Sequence, residues 1–158
     1  MIRIQEAPFD VGVELAALTR GRSDIGAVAS FQGLVREVAG DQTITAMTLE
    51  HYPGMTERKL AEIEAEAHAR WPLQASLIVH RYGRMLPGEP IVLVATAAPH
   101  RTAALEACAF LIDWLKTKAP FWKLETTADG DRWVEAREED TVSEERWIIP
   151  SRTLQDAD

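Results

Sequence analysis

The chain has a single cysteine, Cys108, among 158 residues, so no disulfide framework can form within it. No apolar run reaches the roughly 20 residues that cross a bilayer, and no signal peptide is recognisable. A cytoplasmic protein with reduced thiols is the expectation. Positive charge is also scarce. Against 25 acidic residues there are 17 Lys and Arg, giving a net charge of −8 and a pI near 5.0. That balance excludes broad electrostatic binding to nucleic acid or to an anionic membrane. The four histidines, His51, His68, His80 and His100, form no HxxxH pair, and no CxxC occurs. Neither a metal nor a bound cofactor is expected. A Gly-x-Ser-x-Gly elbow and a glycine-rich phosphate loop are missing as well. Any anion site must therefore be a local basic cluster working against an acidic background.

What is present reads as a single domain over residues 1–150, followed by a disordered tail at 151–158. Ile2–Gln5 alternates as a short strand, and Asp10 caps a helix to about Thr19. Residues 25–35 are rich in small and β-branched side chains and form a strand, with Gly33 marking a bulge or a close backbone approach. Residues 37–42 read as a loop and 43–51 as a strand. A helix over 56–70 has Leu60, Ile63 and Ala67 inside, with Arg58–Glu62 and Glu66–Arg70 as ion pairs and His68 on the solvated face. Residues 76–82 form a strand, 83–89 a loop, and 91–97 a continuously apolar, hence central, strand. The longest helix covers about 100–117, with Ala104, Cys108, Leu111 and Leu115 on its apolar stripe. On that stripe the cysteine is a core residue, not a nucleophile. Strands from Phe121 and over 132–136 flank a turn at 128–131, and Trp147–Ile149 is expected to dock as an edge segment. Hairpins with few helices indicate an α+β fold, helices packed on a mostly antiparallel sheet.

Two stretches carry chemistry. Lys116 closes the long helix, Pro120 turns the corner, and Lys123 lies on the next strand beside Phe121 and Glu125. At the other end, His100 and Arg101 open the helix. An arginine opposes the positive dipole end there, unless an anion is shared between the side chain and the free backbone N–H groups. Arg36, just beyond a strand, is a second candidate for that anion.

Phe31-x-Gly33-x-Val-Arg36, Leu49-Glu-His-Tyr-Pro-Gly-Met55, His100-Arg101, Leu115-Lys-Thr-Lys-Ala-Pro-Phe-Trp-Lys123 and Gly130-Asp-Arg-Trp-Val-Glu135 together resemble the large, catalytic subunit of molybdopterin synthase. The likeness runs in order and spacing to about Trp147. It implies an α/β-hammerhead type of α+β fold and a homodimer within a heterotetramer. Each end of the dimer receives a small ubiquitin-like sulfur carrier, whose C-terminal Gly-Gly bears a thiocarboxylate. The implied reaction moves two such sulfurs onto cyclic pyranopterin monophosphate, making the dithiolene of molybdopterin. By resemblance Lys116 is the essential lysine near the thiocarboxylate and Lys123 the second pocket lysine, with Leu124 and Glu125 beside it. Leu34, Val35 and Arg36, together with His100 and Arg101, match contacts to the pterin phosphate, and Arg137 is a further basic pocket residue. Leu34 and Leu124 stand where relatives often carry basic residues, so their contacts are expected through backbone.

Two other functions fit the same residues. A non-catalytic module binding a ubiquitin-like tail would use the basic pocket only to recognise a carboxylate. A phosphate-handling transferase would use His100 as general base and need no protein partner.

Overall fold

The computed structural model describes residues 1–135, 142–143 and 145–148. Twelve elements occur in them: β1 (Ile2–Gln5), α1 (Val11–Thr19), β2 (Ala27–Leu34), β3 (Val38–Ala39), β4 (Gln42–His51), α2 (Met55–Arg70), β5 (Ala75–Arg81), β6 (Gly83–Met85), β7 (Pro90–Ala98), α3 (Arg101–Lys118), β8 (Phe121–Thr127) and β9 (Gly130–Val134). They build two sheets. The first has strand order β1-β5-β7-β2, with β1 parallel to β5 and the other pairs antiparallel. The second has order β3-β4-β8-β9, with β6 also on β4, and is antiparallel throughout. The α+β architecture read from the sequence is the one observed.

The two central strands of the first sheet are apolar on both faces because both faces are covered. Ile78, Val92 and Val94 meet Leu60, Ile63 and Ala67 of α2 and the α3 stripe, including Phe110, Leu111 and Leu115. Leu77, Val79, Leu93 and Ala95 point the other way, toward Val11, Leu15 and Leu18 of α1. Fully burying each such side chain contributes about 1.5–3 kcal/mol. A smaller core of Val35, Met47, Leu49 and Met85, with Ile91 against it, joins the end of β2 to the second sheet.

Cys108 lies in the main core, donates to the Val94 carbonyl at 3.9 Å, and burial pushes its thiol pKa up to about 11. That state is unreactive. Gly33 is where β2 shifts register against β7, and a Cβ there would lie 2.8 Å from Val92 Cγ1. Bulge and close approach coincide.

Several local expectations change. The loop at 37–42 contains β3, which folds back on β4 through Val38↔Thr43 and Ala39↔Gln42. The loop at 83–89 contains β6, whose Met85 is fully buried opposite Met47. Glu62 is held directly by Lys59 at 2.8 Å, three residues earlier, with Arg58 acting on it through charge at longer range, while Glu66–Arg70 forms as expected at 2.8 Å. His68 is exposed yet bonded, its Nε2 lying 2.8 Å from Ser76 Oγ. Trp147 docks through its ring, not as a strand. It meets Trp71 and Phe110 edge-on at 5.7 and 5.6 Å, and its Nε1 donates to Asp113 Oδ2 at 2.8 Å. The tail at 151–158 lies outside the described residues.

Candidate active site

α3 is amphipathic over its whole length, so it lies flat on the first sheet and runs back along β7, which precedes it. This fixes where its two ends go. Its first residue follows the end of β7, where Ala98 pairs with Ala27 at the start of β2. Its last turn returns toward the start of β7, where Pro90 pairs with Leu34 at the end of β2. Arg101 and Lys116 are 15 residues apart, about 22 Å of helix. The eight residues of β2 separate the same two ends by about 24 Å.

At the far end, His100 is the N-cap of α3, with extended backbone (φ −134°, ψ 153°), and its side chain makes no capping bond. No acidic residue stands in the first turn, and His100 and Arg101 are both exposed. Gly26 lets the chain pass beneath this end, since a Cβ on it would lie 2.1 Å from the Pro99 carbonyl oxygen. The local field is positive from both helix and side chain, as the sequence pattern implied.

At the near end, Lys116 is exposed on the last turn of α3, and Ala119 and Pro120 lead directly into β8. Lys123 is paired with Leu49 and Glu125 with Met47. Directly opposite residues share a sheet face, and Leu49 and Met47 belong to the core that contains Val35. Lys123, Glu125 and Val35 therefore converge on one side of the second sheet, with Arg36 exposed just past Val35. Phe121 begins that row and stacks on the buried His80, centroids 3.7 Å apart and planes at 15°. Burial and the nearby His51 hold His80 down to a pKa of about 4, opposed by its contact with the Arg81 carbonyl.

Glu125 is the feature the sequence left understated. It is only 4% exposed, and Arg132, its register partner on β9, donates Nε and Nη2 to the same oxygen at 3.2 and 2.9 Å. Its burial is legible only once the 128–131 turn is known to fold β9 onto β8. A cavity of about 420 Å³ lies between the Ala39–Gln42 turn and Glu125, Arg132 and Val134.

The structure thus brings together Val35, Arg36, Lys123 and Glu125, with Lys116 one corner away, and Leu34 exposed next to them at the end of β2. It does not bring His100 and Arg101 to them within one chain. Arg36 and Arg101, paired by the sequence reading as one phosphate site, lie at opposite ends of β2. The Leu124 side chain faces away from Lys123, with Thr48 and Trp133 as its register partners, as the alternation of the strand implied, which leaves only its backbone on the Lys123 side. Arg137 lies outside the described residues. Among the described residues no cluster of three His, Cys, Asp or Glu side chains could hold a metal ion, and no helix is long and apolar enough to cross a membrane.

The family model described as MoaE protein matches residues 4–118. The chain belongs to the MoaE family, the molybdopterin synthase catalytic subunits. The molybdopterin synthase catalytic subunit of Mesorhizobium japonicum is 54% identical, covering 92% of each chain. That of Pseudomonas aeruginosa is also 54% identical, over 92% of this chain and 97% of its own. Among solved structures, the MoaE protein of Burkholderia ambifaria superposes with a TM-score of 0.81 at 52% identity, covering 94% of this chain and 98% of that one. The molybdopterin synthase of Staphylococcus aureus superposes at 0.78 with 32% identity, covering 84% and 96%. MoaE membership makes this a sulfur-transferring enzyme of molybdenum cofactor biosynthesis.

Proposed function

We propose that this MoaE chain takes sulfur from the thiocarboxylated C-terminus of a small ubiquitin-like carrier and places it on cyclic pyranopterin monophosphate. The site is the corner formed by α3, Pro120 and β8. The observation that carries this reading is the placement of Lys116, Lys123 and Arg36 at one end of an otherwise acidic molecule. Both reactants are anions there: a thiocarboxylate at the end of a chain and a phosphate on the pterin. Fixed cations hold both and stabilise the negative charge that moves between sulfur and oxygen as the thiocarboxylate C–S bond breaks. Lys116, closest to the open helix end, is assigned to the carrier's terminus. Lys123 and Arg36, with backbone of Leu34 and Val35, are assigned to the pterin side.

His100 and Arg101 join this site from a second protomer. β2 is an edge strand of the first sheet, and its two ends carry the two halves of the basic set. An isologous two-fold contact along such an edge sets the start of one strand against the end of its mate. The Arg36 end of one protomer then faces the His100–Arg101 end of the other, and each dimer holds two complete sites. The cytoplasm is the compartment we assign to this reaction, with the single thiol buried and reduced.

The test is dithiolene formation from the pyranopterin with a thiocarboxylated carrier. Turnover that needs the carrier supports the proposal. Tight carrier binding without product would show a tail-binding module instead. Phosphate chemistry without any carrier would show the transferase that uses His100 as base.

A further inference from the structure

We infer that Arg132 is a positioning residue for sulfur transfer, acting through Glu125; the inference rests on the functional reading above. Glu125 shares its strand face with Lys123, two residues away, a separation of about 6.8 Å along the strand. It is nearly inaccessible to water, where an uncompensated carboxylate costs several kcal/mol. Arg132 supplies the compensation from β9, with both Nε and Nη2 on Oε2. Both donors fall on one oxygen, so the carboxylate is held at one rotamer beside the Lys123 row.

Two features separate this pair from an ordinary structural ion pair. The Arg132 side chain is 49% exposed while that of Glu125 is 6% exposed, so the pair runs from solvent into the buried side of the sheet rather than along the surface. It also forms one wall of the cavity facing the Ala39–Gln42 turn, on the sheet face that carries Lys123. Removing Arg132 leaves a buried negative charge whose nearest cation on the same strand face is Lys123. The carboxylate then turns to Lys123 and withdraws that ammonium from the anionic substrate. Arg132 thereby holds the Glu125 carboxylate in one position relative to Lys123.

The test is a double-mutant cycle on carrier-dependent turnover, with Arg132→Gln, Glu125→Gln and the pair combined, and Arg132→Lys as a variant that keeps the charge and the fold. If Arg132 acts through Glu125, Arg132→Gln raises KM for the pyranopterin about tenfold or more. The combined variant is then no worse than Glu125→Gln alone. Arg132→Lys recovers part of the loss, since an ammonium restores the charge without the two-donor grip. A lower melting temperature with unchanged kcat and KM in Arg132→Gln and Arg132→Lys would reduce the pair to scaffolding and overturn the inference. Losses that multiply in the combined variant would overturn it too. No turnover by the unsubstituted chain would instead remove the functional reading, and this inference with it.

Discussion

His80 lies flat against Phe121, so a buried imidazole of the first sheet supports the first residue of the strand that carries Lys123. Its Nδ1 lies 2.8 Å from the Arg81 carbonyl, which fixes a proton on that nitrogen, while burial keeps the ring neutral.

That neutrality sets an acid limit on stability. Above pH 6.5 the ring is uncharged in both folded and unfolded chains. Below it the unfolded chain binds a proton while the folded one, with a pKa of about 4, does not. Stability therefore falls as pH drops from 6.5 toward 4, by about 3 kcal/mol in total at 1.36 kcal/mol per unit. His80→Phe keeps a ring against Phe121 and removes the titration. Denaturant melts from pH 7 to pH 4 should show a shallower decline for this variant, and parallel curves would count against the assignment.

Gly26→Ala should destabilise the protein more than Gly33→Ala. The added Cβ meets a backbone oxygen at 2.1 Å in the first case and the Val92 side chain at 2.8 Å in the second. Val92 can shift at about 1–3 kcal/mol, whereas the Pro99 carbonyl moves only with the start of α3. Gly26→Ala should also weaken pyranopterin binding, because His100 and Arg101 move with Pro99. Comparing midpoints and KM values of the two variants checks both statements.

Lys116→Ala should abolish transfer, a loss of about 10² or more, while changing stability by less than about 0.5 kcal/mol, since the side chain is exposed. Lys116→Arg should fail almost as badly, because a guanidinium keeps the charge but does not give up a proton. Single-turnover assays with preformed carrier complex separate loss of chemistry from loss of binding. Full activity in the arginine variant would show that charge alone suffices.

Mixing Lys116→Ala chains with Arg101→Ala chains should restore activity. Each parent dimer lacks one group at both sites, while a mixed dimer has one intact site and one lacking both. At equal input half of the dimers are mixed, so about a quarter of wild-type sites return. A mixture that stays inactive after demonstrated subunit exchange would place the site within one chain.

The central strands, the α3 stripe and the two faces of β8 were legible because each rests on a local period. Residues 121–127 alternate, and Lys123 and Glu125 do share a face. β3 and β6 were not legible, being two and three residues long inside glycine-containing turns. Their pairing is decided by β4, elsewhere in the sequence. The separation of Arg36 from Arg101 was equally hidden. Both flank the same pair of strands, and only the antiparallel register of β2 on β7 shows that they flank opposite ends. Glu125 was named beside Lys123, but its burial was not legible, because it depends on Arg132 lying across from it on β9.

The docking of Trp147 divides the five tryptophans into two optical populations. Trp71, Trp114 and Trp147 gather around Phe110, close enough to exchange excitation among themselves. Trp122 and Trp133 stand exposed on the outer face of β8 and β9. The blue edge of the protein's emission therefore reports how firmly the Trp147 ring is seated. The red edge, open to aqueous quenchers, reports what approaches the strand bearing Lys123.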